Sequence, residues 1–265
     1  MTSRERAPPL PHRADSARPD PRRRAEPGAG PHQVRSWLAD HGCLTCSSLG
    51  RNVQSTRRRQ GRVSGKVAAA VAVSLDGFVA GPGDSPEEPL GLHGERLFTW
   101  FYNGDTPGRF YPWMKMSAAS AAAFDGFIAR IGAVITGRRT YDVAKAWNGE
   151  GEVPGAPLFV VTHHVPDQVP PADPPYTFVT DGIASAVRQA LAAAAGRDVR
   201  LMGASIVQQC LRSGLLDELT VELVPTFLGR GVRLLDDLEP GAADLEVVGV
   251  VDAPGVTHLT YRVIK

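Results

Sequence analysis

Long apolar runs are missing from this sequence. Nothing approaches the roughly 18 consecutive apolar residues that a membrane-spanning helix needs, so no membrane association is expected. The first residues also lack the apolar core of a secretory leader. Cysteine is scarce. Cys43, Cys46 and Cys210 are too few and too scattered for a disulfide framework, which points to a reducing, cytoplasmic setting. Metal-ligand patterns are missing too. Cys43-Leu44-Thr45-Cys46 beside His41 has no second pair to complete a four-ligand zinc site, and it lies in polar coil rather than between a strand and a helix, so the thiols read as incidental. His93-Gly94-Glu95 supplies half of a nucleoside-deaminase signature, but no PCxxC follows it. No metal is expected.

Lysine is absent from residues 1–62, which hold 13 Arg against 5 acidic residues. Pro8, Pro9, Pro11, Pro19, Pro21, Pro27 and Pro31 break any regular element there. The triplets Arg22-Arg23-Arg24 and Arg57-Arg58-Arg59 repel themselves, and Trp37-Leu38 is the one apolar spot. Residues 1–62 therefore read as a disordered basic tail, dispensable to the rest. A basic arm for RNA or a membrane surface is the alternative, as is an Arg-rich targeting peptide, which the five acids oppose. The remaining chain carries an acidic excess, so nucleic-acid binding by the body is not expected.

A compact domain is expected over residues 66–265. Lys66–Ser74 is a continuous apolar run with β-branched residues, the pattern of a central strand covered on both faces. Asp76-Gly77 turns the chain after it. Residues 81–116 are rich in Gly and Pro and carry Trp100, Phe101, Tyr102, Phe110, Tyr111 and Trp113, a composition that suits a lid or pocket wall, or else a satellite core. Ser117 is the expected cap of a helix to Arg130 with Phe124, Phe127, Ile128 and Ile131 on its apolar face.

The stretch Ile135-Thr136-Gly137-Arg138-Arg139-Thr140-Tyr141 reads as a strand end, a glycine turn and a helix start. Thr140 is the expected cap, and Tyr141–Trp147 the helix. Bare N–H groups at a helix start, with guanidiniums adjacent, make a phosphate site; two solvated loop arginines are the plainer alternative. Further strands are expected at Pro157–Thr162, Tyr176–Val179 and Val199–Met202. Asp181 is expected to cap a helix of Ile183–Ala195, closed by Gly196, and Gly203-Ala204-Ser205 to enter another that runs to Ser213 with Cys210 in the core. Glu218–Val224, Leu245–Val251 and Val256–Ile264 are strands with no helices between them, with a hairpin turn at Ala253-Pro254-Gly255. The alternation implies an α/β fold with a mostly parallel sheet and antiparallel C-terminal strands.

Ser74-Leu75-Asp76-Gly77, Gly137-Arg138-Arg139-Thr140-Tyr141, Met202-Gly203-Ala204-Ser205 and Pro225-Thr226-Phe227-Leu228-Gly229-Arg230-Gly231, in that order, resemble the dihydrofolate reductase-like superfamily. The resemblance is to the branch containing the reductase domain of bacterial riboflavin biosynthesis, and it covers residues 66–265. It implies a three-layer α/β/α fold, a homodimer and an NADPH-dependent reductase of a small heterocycle or ribosylamino substrate, similar to 5-amino-6-(5-phosphoribosylamino)uracil reductase. Arg138 or Arg139 would hold the 2′-phosphate. Thr140 and Gly203-Ala204-Ser205-Ile206 would hold the pyrophosphate, and Thr162 and His163 would line the adenosine phosphate. Ser74, Asp76 and Gly77 would lie over the nicotinamide and substrate. Two departures stand out. Met202 replaces the first glycine of a pair, and the helix acid of true dihydrofolate reductases is replaced by Ala118–Ala123, the first acid being Asp125. Asp76, then Asp125, are the candidate polar contacts at the substrate. The alternative is a nucleotide-binding protein of the same fold that has lost catalysis.

Overall fold

The computed structural model describes residues 65–236 and 238–265, so the basic tail, Trp37 and the Cys43–Cys46 pair lie outside the described residues. The chain runs β1 (Val67–Ser74), β2 (Phe78–Ala80), β3 (Thr106–Pro107), β4 (Lys115–Met116), α1 (Ala118–Ala129), β5 (Ile131–Gly137), α2 (Arg138–Val143), β6 (Leu158–Val161), β7 (Thr177–Val179), α3 (Ile183–Ala193), β8 (Asp198–Met202), α4 (Ala204–Arg212), β9 (Glu218–Val224), β10 (Val232–Arg233), β11 (Asp244–Ala253) and β12 (Val256–Ile264). Eight strands form one sheet in the order β11-β12-β9-β1-β8-β5-β6-β7. From β9 to β7 all neighbours are parallel. The β9–β12 and β12–β11 pairs are antiparallel, the latter closed by the hairpin at Pro254-Gly255. The expected mixed sheet is thus the observed one.

Two apolar layers hold the sheet. One packs Ala186, Val187, Ala190, Ile206, Val207 and Cys210 of α3 and α4 against Val67, Ala69, Ile135 and Leu201. The other packs Phe124, Phe127 and Ile128 of α1, with Leu97 and Trp100, against Ala68, Ala72, Val134 and Val224. Strands buried on both faces cannot alternate polar and apolar residues, which is why β1 reads as an unbroken apolar run. Cys210 is core, as expected, and burial pushes its thiol up to about 12. Ser117 caps α1, its Oγ accepting from the Ser120 amide at 3.2 Å.

Four local expectations need correction. Thr140 does not cap a helix. Gly137 is the cap of α2 and Thr140 lies inside that helix. The helix stops at Val143 rather than Trp147, because Lys145, Ala146, Trp147 and Asn148 all take left-handed φ near 50°. Asp181 does not cap α3 either. Gly182 holds that position with φ +94° and no side-chain cap, and the helix ends at Ala193, short of the left-handed Ala195 and Gly196.

Candidate functional site

The site arises where two neighbouring strands part. β1 pairs with β8 only from Val67↔Val199 to Ala69↔Leu201, then continues along β9 to Ser74↔Val224. β8 follows β5 to Thr136↔Met202 and leaves the sheet at Gly203, where φ +91° starts the path into α4. Beyond Ala69 the two strands therefore separate at their C-terminal ends. A cavity of about 690 Å³ opens there, floored by Ala70, Val71 and Ala72 on one side and Leu201, Met202 and Gly203 on the other. Small side chains on β1 keep that floor low. The crevice beyond the carboxyl ends of parallel strands, where the connectivity reverses, is where open α/β sheets bind ligands.

One end of the cavity favours anions. Gly137, Gly182 and Gly203, the N-caps of α2, α3 and α4, all line it, and none of the three helices has a side-chain cap. The first N–H groups of each helix have no intrahelical acceptor and carry the positive end of the helix dipole. Gly203 is required for a steric reason as well. A Cβ there would come within 2.5 Å of Thr140 Oγ1, filling the cradle between the two helix starts. Ala204, Ser205 and Ile206 continue the wall, with Gln209 Nε2 donating to Ser205 Oγ at 3.1 Å.

Arg138, Arg139, Thr140, Thr162 and His163 also line this end. Neither arginine is idle. Arg138 Nε donates to both Asp142 carboxylate oxygens at 2.9 Å and its Nη1 donates to the His164 carbonyl at 3.1 Å. Arg139 grips Asp84 through Nε at 2.7 Å and Nη2 at 2.6 Å, and this bidentate bond holds the Asp84 carboxyl below its usual range. Asp84 belongs to the loop after β2 and lines the cavity as well. Thr162 Oγ1 donates to the His164 carbonyl at 2.8 Å, bending the chain after β6, so that exposed His163 and His164 sit at the rim. Among the described residues, no group of three His, Cys, Asp or Glu is placed to hold a metal ion.

The other end is aromatic above and ionisable below. Phe98 and Phe101 from the Gly94–Tyr102 turn, with Phe124 of α1, line it. The long Gly/Pro-rich connection is thus pocket wall at Asp84, Pro89, Leu90, Phe98 and Phe101, and core at Trp100. Its Phe110, Tyr111 and Trp113 line a separate hollow of about 510 Å³ beside Gly149–Glu152. Beneath Phe124 stand two charged residues that the sequence reading passed over, Arg200 of β8 and Glu222 of β9. Both are more than nine-tenths buried. Arg200 Nη2 pairs with Glu152 Oε1 at 2.9 Å and its guanidinium lies over the Phe127 ring, while its Nε and Nη1 have no partner among the described residues. Burial pushes Glu222 up to about 7, with Arg200 pulling it down and Glu152 pushing it further up. The overlooked signal was a charged residue between two apolar neighbours within a strand, Val199-Arg200-Leu201 and Val221-Glu222-Leu223.

The expected substrate contacts lie elsewhere. Ser74, Asp76 and Gly77 are not in the cavity wall. Asp76 accepts from Ser74 Oγ at 2.6 Å and from the Leu228 and Gly229 amides at 3.2 and 2.7 Å, and these bonds, chiefly the one from Ser74, hold its carboxyl below the usual range. Ser74 Oγ in turn accepts from the Phe78 amide at 2.9 Å. The group ties the turn after β1 to the Leu228-Gly229 loop, and Gly77 makes that turn at φ +89°. Asp125 accepts from the Arg109 amide at 2.9 Å, securing the aromatic loop. Gly137, Arg138, Arg139, Thr140, Thr162, His163, Gly203, Ala204, Ser205 and Ile206 are brought together around the cavity.

Comparison with known proteins agrees with this architecture. A structure described as a riboflavin biosynthesis protein from Shewanella sp. PV-4 is 20% identical with a TM-score of 0.57, covering 76% of this chain and 99% of the other. RibD from Acinetobacter baumannii is 18% identical with a TM-score of 0.50. That match covers 77% of this chain but 59% of RibD, so the chain spans about three-fifths of that protein. These likenesses establish the fold. No curated protein matches in sequence. The RibD C-terminal domain family matches residues 65–258, all of the described sheet up to β12, and the chain belongs to that family.

Proposed function

We propose that the protein is an NADPH-dependent reductase that delivers hydride to a small nitrogen heterocycle or its ribosylamino derivative, similar to 5-amino-6-(5-phosphoribosylamino)uracil. The observation that carries this reading is the convergence of three uncapped helix starts on a cavity between parting strands, a cradle for a dinucleotide pyrophosphate. Ala204 and Ser205 amides, with Thr140, would hold the pyrophosphate, and Thr162 and His163 the adenosine side. Reduced nicotinamide, when bound, supplies the hydride; the protein's part is to orient it against a ring lying on Phe98, Phe101 and Phe124. A 2′-phosphate would meet Arg138 or Arg139, and it would have to draw one of them from Asp142 or Asp84.

Titration of the full chain with NADPH and NADH, followed by nucleotide fluorescence, tests this. NADPH is expected to bind the more tightly. Arg138→Ala or Arg139→Ala should weaken NADPH by roughly tenfold or more, the worth of a charge-assisted hydrogen bond, and leave NADH nearly unchanged. Failure of both nucleotides to bind overturns the reading. A second reading, a nucleotide-binding protein without turnover, draws on Asp125 lying outside the cavity, where one of its oxygens accepts from the Arg109 amide. NADPH binding with no oxidation by any ribosylaminopyrimidine would favour it. A homodimer is part of the proposal, its contact surface the C-terminal strands.

A further inference from the structure

Hydride transfer to a C=N or C=O bond needs a proton as well as the hydride, and the acids expected from sequence stand outside the cavity. We propose that Glu222 is the proton donor of this site and that Arg200 is the positioning residue beside it. This deepens the reductase reading and rests on it. In the balanced step, two electrons arrive with the hydride at the substrate carbon, from reduced nicotinamide. The π pair of the double bond moves to nitrogen or oxygen. That atom takes the proton of the Glu222 carboxyl as its O–H bond breaks. The carboxylate left behind is steadied by the Arg200 guanidinium and regains a proton from water.

The geometry supports this in three ways. Glu222 and Arg200 both line the aromatic end, where a planar ring would rest on Phe98, Phe101 and Phe124. Ala72 is the β1 partner of Glu222 and Ala68 that of Arg200, so both project to the face covered by α1, with small β1 side chains between them. Two buried nitrogens of Arg200, Nε and Nη1, have no partner among the described residues, a cost that structures retain where something else completes the set.

The other ionisable groups around Glu222 do not take over its role. His258 of β12 stands opposite Glu222 in the register, but its Nε2 is bonded to Ser120 Oγ at 3.1 Å and burial keeps the ring neutral. Glu152 is engaged with Arg200, and Tyr111, whose hydroxyl donates to the Glu152 carbonyl, is pushed well above the usual phenol range by burial. Burial raises both the Glu152 and the Glu222 carboxyls, and below about pH 7 the neutral Glu222 carboxyl beside Arg200 suits an uncharged ligand with acceptor atoms.

A proton donor must first donate a hydrogen bond, so ligand binding has to favour the protonated carboxyl. Uracil, planar and uncharged from about pH 5.5 to about 8, is the probe, titrated into the full chain by calorimetry. The expected affinity is steady at acid pH and falls roughly tenfold per unit above about pH 7. In Glu222→Gln, whose amide still donates, affinity should stay within a few-fold of the acid value and lose its pH dependence. In Glu222→Leu it should be weak throughout. A readout that needs no variant is proton uptake: at about pH 8 the native chain should take up close to one proton per uracil, seen as heat that varies with the buffer. A flat pH profile, absence of proton uptake, a slope unchanged in Glu222→Gln, or no uracil binding at any pH each overturns the proposal. Its failure is separable from that of the reductase reading, since NADPH binding with a flat uracil profile removes only Glu222, while a steep profile without nucleotide binding removes only the cofactor.

Discussion

At the residue scale, the cavity is held by a few contacts with calculable consequences. Gly203 has both a left-handed φ and no room for a Cβ beside Thr140 Oγ1. Gly203→Ala should cost about 1–3 kcal/mol of stability and weaken nucleotide binding, measured by urea unfolding and fluorescence titration. Asp84 competes with any phosphate for Arg139. Asp84→Asn should therefore tighten NADPH by several-fold while NADH changes little, and an equal gain for both would place the phosphate elsewhere. Glu222 binds its proton more tightly folded than unfolded. Between about 4.5 and about 7 the folded state holds the extra proton, so stability falls as pH rises through that window. Glu222→Gln should remove that fall, on the order of 3 kcal/mol at full extent. Buried Glu152 and His258 titrate in both proteins, and because Glu152 is electrostatically coupled to Glu222, the difference between native and variant melts reads Glu222 together with its effect on Glu152. The glycine turns and arginines of the site are legible in sequence because their chemistry is local. Arg200 and Glu222 are not, because only strand order brings positions 22 residues apart to one cavity wall.

At the element scale, the sequence makes most strands and helices legible, since both faces of β1 and β5 are covered and the helices keep apolar stripes. It misplaces helix starts, and for one reason. Thr140 and Asp181 are good capping residues, but α2 and α3 begin on Gly137 and Gly182. A side-chain cap would occupy the amides that face the cavity, so ordinary capping logic fails where an external anion is the expected acceptor. The parting of β1 from β8 is likewise invisible locally, because Ala70 and Ala72 read simply as core. Their small size matters. Ala70→Leu would raise the floor of the cavity, and the expected result is loss of uracil and nucleotide binding with a native far-ultraviolet circular dichroism spectrum. Unchanged binding would show that the ligand does not enter between the two strands.

At the scale of the whole molecule, the sheet ends on one side in an unpaired strand. β11 is ten residues long and pairs only with β12 among the described strands. Its register with β12 sets Leu245, Val247 and Val250 on one face, opposite Val263, Tyr261 and Leu259. Leu245 is 44% exposed, Val247 58% and Val250 59%. A long apolar edge of this kind invites pairing with another chain, and native proteins cover it or charge it. Asp244 and Glu246, opposite Ile264 and Arg262, lie on the other face, and Asp252, opposite Thr257, is the one acid on this face, at its hairpin end. A second copy of the chain is the occupant that the resemblance implies, and two such faces together would need to bury on the order of 1,000 Å² or more for a stable dimer. Light scattering coupled to size exclusion should give twice the 28.3 kDa of the chain. The double variant Val247→Lys, Val250→Lys should elute as a monomer with its nucleotide affinity intact, because the cavity lies on the far side of β12 and β9. A native protein already monomeric at micromolar concentration would remove the dimer from the proposal without touching the site.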